Sequence, residues 1–135
     1  MQTKYILATA AALALTLGAT LARADIVVIG NPAAAALTQD QVADIYLGKS
    51  NAATPVDQPE AAPIRADFYK KATGRDSAQV KAVWSRLVFT GKGQPPKEFA
   101  DSAAVKKAVA ADPKAIGYIE KAAVDGTVKV LLPLN

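Results

Sequence analysis

The 135-residue chain contains no cysteine and no histidine. Without cysteine no disulfide can stabilise the fold, so the hydrophobic core has to hold it unaided. Histidine is the most common catalytic base, and both residue types are common ligands of transition metals. Their joint absence excludes Ser-His-Asp and Cys-His catalysis and the usual zinc sites. We therefore expect a protein that is not an enzyme and that has no metal site and no cofactor.

Two remaining patterns give little support to catalysis or nucleotide binding. Asp57 and Glu60 lie close together in sequence, but charged side chains beside a turn are usually solvated rather than catalytic. The Gly-Lys-Gly triplet at residues 91–93 follows a predicted helix instead of a strand and lacks the spacing of a phosphate-binding loop. Neither pattern changes the expectation of a non-enzyme.

The segment 1–24 is typical of a secretory signal peptide. A lysine near the start precedes a long apolar run, and Ala22-Arg23-Ala24 then supplies the small residues of a cleavage site. Cleavage after this site would leave residues 25–135 as one exported, periplasmic domain with a single core. No later segment has the apolar length that a membrane-spanning helix needs.

The expected mature chain carries little net charge. Cleavage removes two of the 16 basic residues, which leaves 14 against 12 acidic residues and a formal charge of +2. No block of like charges concentrates that balance on one segment. Nucleic acid is therefore not an expected partner.

Strand and helix patterns alternate along residues 25–135. Short β-branched runs between turn residues predict strands, and apolar residues three and four apart predict helices. The predicted strands are residues 25–30, 55–58, 115–120 and 127–134, and the predicted helices are residues 37–49, 63–72, 77–91 and 101–113. Residues 92–101 have the composition of a loop. This order predicts an α/β class, with a single small domain in which helices flank a mixed sheet.

Two of the predicted helices have clear signals of their own. Thr38 and Gln41 form a capping box at the start of the first helix. The helix at residues 77–91 has the most regular amphipathic spacing. We expect its core-facing side to consist of Val80, Val83, Trp84, Leu87 and Val88.

The start of the helix at Pro63 is a candidate anion site. The first N–H groups of a helix lack internal partners, and the helix dipole adds partial positive charge. Here the amides near Ala62, Ile64 and Arg65 would face an anion, and the Arg65 guanidinium would clamp it. Tyr69, one turn further, would add a hydroxyl. The alternative reading is structural and has two parts: Arg65 pairs with a carboxylate of its own helix region on an exposed face, namely Glu60 or Asp67, and the proline only starts the helix.

Four segments, in the same order, resemble phosphate-type periplasmic substrate-binding proteins of ABC transporters. The segments are IVVIGNPAAAALTQDQVADIYLGKSN, PVDQPEAAPIRADFY, VWSRLVFTGKG and AIGYI. The resemblance implies a type II periplasmic-binding-protein fold, in which a Gly-Ser-Gly-Thr turn opens a helix that holds phosphate. The 111 residues 25–135 supply about one of the two lobes of such a protein.

The chain departs from this family at the turn itself. Residues 61–64 are Ala-Ala-Pro-Ile in place of Gly-Ser-Gly-Thr, so both hydroxyls and one amide donor are lost. Gln58 stands where the family often has arginine, while Arg65 and Phe68 match, and Phe68 is expected in the core. Glu60 would repel an approaching anion. A single lobe would also leave its ligand open to water, where screening weakens each contact.

We therefore expect an exported phosphate-type binding-protein-like domain with weak binding of phosphate or another small anion, alone or with a partner that completes the cleft. The candidate ligand contacts are Arg65, Ala62, Ile64, Gln58 and Tyr69. The alternative is a non-enzymatic periplasmic interaction module or self-associating module that has lost ligand binding. Its candidate contacts are the Pro-rich loop GKGQPPKEF and the link NPAAAA.

Overall fold

The computed structural model describes residues 25–134, and strands and helices alternate along this part of the chain. The elements are β1 (Ile26–Gly30), α1 (Gln39–Tyr46), β2 (Thr54–Asp57), α2 (Pro63–Thr73), α3 (Ser77–Phe89), β3 (Lys97–Glu98), α4 (Ser102–Ala111), β4 (Ala115–Glu120) and β5 (Lys129–Leu134), with a 3-10 turn at Lys121–Ala123. The predicted signal peptide lies outside the described residues and stays a prediction. Between residues 25 and 134, no helix is long and apolar enough to cross a bilayer.

The strands form one mixed sheet with the order β3-β2-β4-β1-β5. Strand β1 pairs antiparallel with β4 and with β5, whereas β2 pairs in parallel with β4 and with β3. Strands β1 and β4 are almost fully buried, because each has a neighbour on both sides and helices over both faces. The predicted α/β class with a mixed sheet is confirmed.

Alternate residues of the inner strands supply two hydrophobic cores on opposite faces of the sheet. On one face, Ile26 and Val28 of β1 pack with Tyr118 of β4 beneath helices α1, α2 and α3. On the other face, Val27 and Ile29 pack against helix α4. Helix α2, which carries the candidate anion site, therefore rests on the first face.

Four aromatic side chains fix helix α2 against the sheet. The rings of Phe68 and Tyr118 stack with centroids 3.9 Å apart and planes inclined by 4°. Tyr46 of α1 meets both rings at steep angles, 67° to Phe68 and 64° to Tyr118. Tyr69 joins the cluster beside Phe68. Aromatic pairs of this kind add to the free energy gained from burial. They therefore fix the position of α2 against the sheet.

The helix starts follow the sequence signals. Thr38 accepts from the amide of Gln41 and the Gln41 side chain returns to Thr38, which confirms the expected capping box. Helix α3 begins with a second capping box, between Asp76 and Gln79. Helix α2 has no side-chain cap and begins with Pro63 after an extended Ala62.

The structure corrects two expectations. Residues 92–101 are not all loop, because Lys97–Glu98 forms the short strand β3 beside β2. The face of α3 expected to be buried is covered only in part: Val80 is buried, Val83, Trp84 and Leu87 are half-buried, and Val88 is 50% exposed. The next residue, Phe89, is 91% exposed. The regular spacing predicts an apolar face along the whole helix, but at the C-terminal end of α3 that face is no longer covered by other elements.

Gly117 lies where β4 passes closest to α4, and this predicts a sharp response to added volume. A Cβ at Gly117 would lie 2.5 Å from Val105 Cγ1 and 3.0 Å from Val56 Cγ2. We expect Gly117→Ala to lower the free energy of unfolding by about 1–3 kcal/mol through overpacking. Gly126→Ala is the matched control, because a Cβ there has nothing within 4 Å. Urea unfolding of both variants checks this, and equal stabilities would contradict the packing.

Candidate functional site

Strand β2 ends at a buried carboxylate, Asp57, that lies directly before the α2 turn. The side chain is 1% exposed. It sits there because β2 is enclosed by β3 and β4 and because α2 closes over its end. The expectation that Asp57 is solvated was wrong. The end of β2, which carries Asp57, lies beneath helix α2 and not at the open surface.

Hydrogen bonds from all sides compensate the burial of Asp57. The Tyr69 hydroxyl donates to Oδ2 at 2.5 Å, and the Tyr118 hydroxyl donates to Oδ1. The backbone amide of Gln58 also donates to Oδ1, at 2.9 Å. Burying a carboxylate without hydrogen-bond donors costs much free energy. These three donors offset the cost of removing the Asp57 carboxylate from water.

Arg65 is engaged by the chain itself. Its Nη1 donates to the Gln58 carbonyl and to Glu98 Oε2, each at 2.9 Å, and its Nε lies 3.8 Å from Asp57 Oδ1. Partial burial lowers the pKa of Arg65, but the charges of Asp57 and Glu98 outweigh this and the pKa is raised overall. The guanidinium is therefore charged and already faces two carboxylates.

The alternative in which Arg65 forms an ion pair within the chain is correct, but the predicted partners are wrong. We expected Glu60 or Asp67, which are close in sequence, whereas the carboxylates are Asp57 and Glu98. Glu98 reaches Arg65 because β3 pairs in parallel with β2 and places Glu98 in register with Asp57. The Phe99 amide, which donates to the Asp57 carbonyl at 2.8 Å, extends this pairing.

The amides expected to face an anion are partly used within the turn. The Ala62 amide donates to the Pro59 carbonyl at 2.9 Å, and the Arg65 amide donates to the Ala62 carbonyl at 3.0 Å. Pro63, at the first helical position, has no N–H to offer. The turn thus keeps the geometry of a helix start while directing most of its donors inward.

The five candidate contacts are divided between two depressions. Gln58, Ala62 and Ile64 line a shallow pocket of about 450 Å³ between the starts of α2 and α4. Arg65 and Tyr69 line a groove of about 480 Å³ along α3, which we call the α3 groove. Gln58 links the two, because its carbonyl accepts from Arg65 while its side chain points to the pocket.

Carboxylates of this chain also occupy the shallow pocket. The Gln58 amide group donates to the Tyr118 carbonyl at 2.9 Å and to Ser102 Oγ at 3.2 Å. Ser102 donates in turn to Glu120 Oε2 at 2.8 Å. Asp101 caps α4 by accepting from the Ala104 amide. Both depressions thus pair their positive groups with acidic side chains.

Sequence reasoning missed Asp57, Tyr118 and Glu98 as parts of this site. Tyr118 lies in a correctly predicted strand, but nothing in the sequence indicates that its hydroxyl meets Asp57. Glu98 was placed in a loop, and its pairing with Arg65 spans 33 residues. Within residues 25–134 no cluster of three or more acidic residues is placed to hold a metal ion.

The fold is similar to that of solved binding proteins. An ABC-type phosphate transport receptor from Vibrio cholerae matches 80% of this chain with a TM-score of 0.61 and 17% sequence identity. A putative phosphate ABC transporter substrate-binding protein from Clostridium perfringens, solved with bound phosphate, matches 80% of it with a TM-score of 0.59 and 22% identity. The expected resemblance to phosphate-type binding proteins is confirmed at the level of the fold.

The chain spans less than half the length of both proteins, 45% of the first and 44% of the second. This agrees with the expected size of a single lobe. No protein-family model and no curated protein sequence matches the chain.

The buried tyrosines give the stability a definite dependence on pH. Burial, and then the Asp57 carboxylate, raise the pKa of Tyr69 and Tyr118 well above the ordinary tyrosine value. The same two causes raise the pKa of Tyr46. Above about pH 10 the unfolded chain releases these protons and the folded chain keeps them. The folded state then binds more protons, so the free energy of unfolding falls as pH rises, by about 1.4 kcal/mol per pH unit for each tyrosine.

Urea unfolding of residues 25–135 from about pH 8 to about pH 11 measures this slope. We expect Tyr69→Phe and Tyr118→Phe each to remove about a third of the slope, because three tyrosines contribute equally. Both variants also lose a hydrogen bond, but that loss is the same at each pH and leaves the slope unaffected. A slope equal to that of the unsubstituted protein in both variants would contradict the raised pKa values.

Proposed function

We propose that the chain is an exported, periplasmic, non-enzymatic interaction module built on one lobe of the phosphate-type binding-protein fold. In this proposal its own carboxylates fill the positions at which such a lobe would meet an anion. The contact that carries the proposal is the 2.9 Å ion pair between Arg65 Nη1 and Glu98 Oε2. The apolar segment and small-residue site in residues 1–24 support export.

Electrostatics around Arg65 favour this function over anion capture. One guanidinium faces the buried Asp57 and the partly exposed Glu98, so the local charge is already negative. An arriving phosphate would have to displace Glu98 and approach Asp57, which α2 and the sheet keep from water and therefore from screening. Glu60, on the same groove, adds a further negative charge.

The openness of both depressions supports the same conclusion. Tight small-ligand sites bury most of the ligand surface, usually between two lobes that close over it. The shallow pocket and the α3 groove are both open depressions on one lobe, and the chain covers less than half of the solved proteins that it resembles.

One observation favours a second function, weak binding of a small anion. Glu98 is 54% exposed and lies on β3, an edge strand of two residues. An anion that displaced it would gain the Arg65 guanidinium, with Tyr69 beside it. Both solved proteins described above are named for phosphate. Replacing one anion by another leaves little net gain in binding free energy. The dissociation constant would therefore lie in the millimolar range, which corresponds to about −4 kcal/mol.

Calorimetric titration of residues 25–135 with phosphate and sulfate at low salt separates the two functions. We expect no binding to the unsubstituted protein. Glu98→Gln releases Arg65 from one carboxylate and should create measurable binding with a dissociation constant of about 1 mM or weaker. Adding Arg65→Ala to Glu98→Gln should abolish it, since the guanidinium is then gone.

Glu60→Gln is the matched control, because it removes one carboxylate from the same groove, and Glu60 has no ion pair in the described part of the chain. It should remain without binding. Phosphate binding by the unsubstituted protein that disappears in Arg65→Ala would establish the second function and overturn the first.

A further inference from the structure

The α3 groove has a wall formed by one face of a single helix. The residues that α3 contributes recur at helical spacing and are mostly apolar: Val80, Lys81, Trp84, Ser85, Val88 and Phe89. The facing wall comes from the α2 turn and the loop before β3. It includes Pro95 and Pro96 together with Glu60 and Glu98.

Large apolar side chains at this groove are left in water. Phe89 is 91% exposed and Val88 is 50% exposed at the end of α3. Trp84 uses its Nε1 to donate to the Tyr46 carbonyl at 3.0 Å, so the polar atom of the indole is satisfied internally. The indole ring of Trp84 therefore contributes an apolar surface to the wall of the groove. Large apolar side chains exposed next to each other at the end of one helix are a feature of interaction sites.

Charges on the two walls have opposite sign. The α3 wall carries Lys81, which is exposed and makes no ion pair in residues 25–134. The facing wall carries the carboxylates of Asp57, Glu60 and Glu98 and one cation, Arg65, which pairs with Asp57 and Glu98, so its net charge is negative. A partner that presents the same two walls, turned by a two-fold rotation, would set each Lys81 opposite the carboxylates of the other molecule.

We propose that the partner in the α3 groove is a second copy of this chain, in a two-fold symmetric dimer that rests on the interaction function proposed above. A two-fold interface requires that each surface be complementary to itself. The α3 groove meets this requirement, since it combines a projecting phenylalanine and an apolar wall with Lys81 on one side and a net negative charge on the other. Phe89 of each molecule inserts into the groove of the other.

The groove is large enough for this insertion. Its volume of about 480 Å³ exceeds that of one phenylalanine side chain, and Val80, Trp84 and Val88 are among its lining residues. An aromatic anchor in a pocket is the usual centre of a protein interface, and charged pairs at the rim contribute mainly orientation. We therefore assign the binding energy to Phe89 and the register of the dimer to Lys81.

Sedimentation equilibrium of residues 25–135, over micromolar to millimolar concentrations, tests the dimer. We expect a monomer–dimer equilibrium and a dissociation constant raised about 30-fold or more by Phe89→Ser. Folding should be unaffected, because Phe89 is almost fully exposed. Val130→Ser is the matched control: Val130 is 37% exposed but lies on β5, away from the groove, so this variant should dimerise normally.

A charge exchange tests the register. Lys81→Glu should weaken the dimer, and combining it with Glu60→Lys should restore it. A monomer at all concentrations, or a dimer insensitive to Phe89→Ser, would overturn the proposal. That result would leave the proposed interaction function standing with another partner, whereas phosphate binding in the titration described above would overturn the function independently of the dimer.

Discussion

The hydrogen-bonded burial of the Asp57 carboxylate organises this end of the molecule. Tyr69 of α2 and Tyr118 of β4 both donate to it, so the charge joins the helix to the sheet. It also attracts the Arg65 guanidinium, whose position then selects Glu98 and with it the edge strand β3. Removing a buried charge that satisfies several donors leaves all of them unpaired, which usually costs several kcal/mol. The site is thus part of the fold's stability.

This arrangement places carboxylates of the same chain beside Arg65 in a lobe with a phosphate-type fold. Arg65 and the start of helix α4 each meet a carboxylate of the same chain, whereas the start of α2 has no side-chain cap. Glu98 neutralises the first, and Asp101 and Glu120 lie at the second. An anion from solution would have to compete with carboxylates that the fold already holds beside Arg65. In the proposed function, the exposed apolar side chains at the end of α3 would contact the partner.

The sequence predicted what depends on local chemistry and missed what depends on distant pairing. The strand at residues 115–120 and the capping box at Thr38 follow from nearby residues, and both were correct. The partners of Arg65 were not predictable, because Glu98 arrives through the pairing of two short strands. Periodicity likewise identified α3 but not its exposure, since it shows which side of a helix is apolar and not whether another element covers it. The exposure of Phe89 could not be predicted for this reason.

NMR of the Arg65 side-chain nitrogens tests the central claim most directly. If Arg65 is bound to Asp57 and Glu98, its Nε and Nη signals should be distinct from those of mobile arginines and should stay unchanged as phosphate is added. Glu98→Gln should shift them before any ligand is present, because one partner at 2.9 Å is lost. Saturable movement of the Arg65 signals with phosphate in the unsubstituted protein would contradict the account, since it would show that the guanidinium is available to an anion from solution.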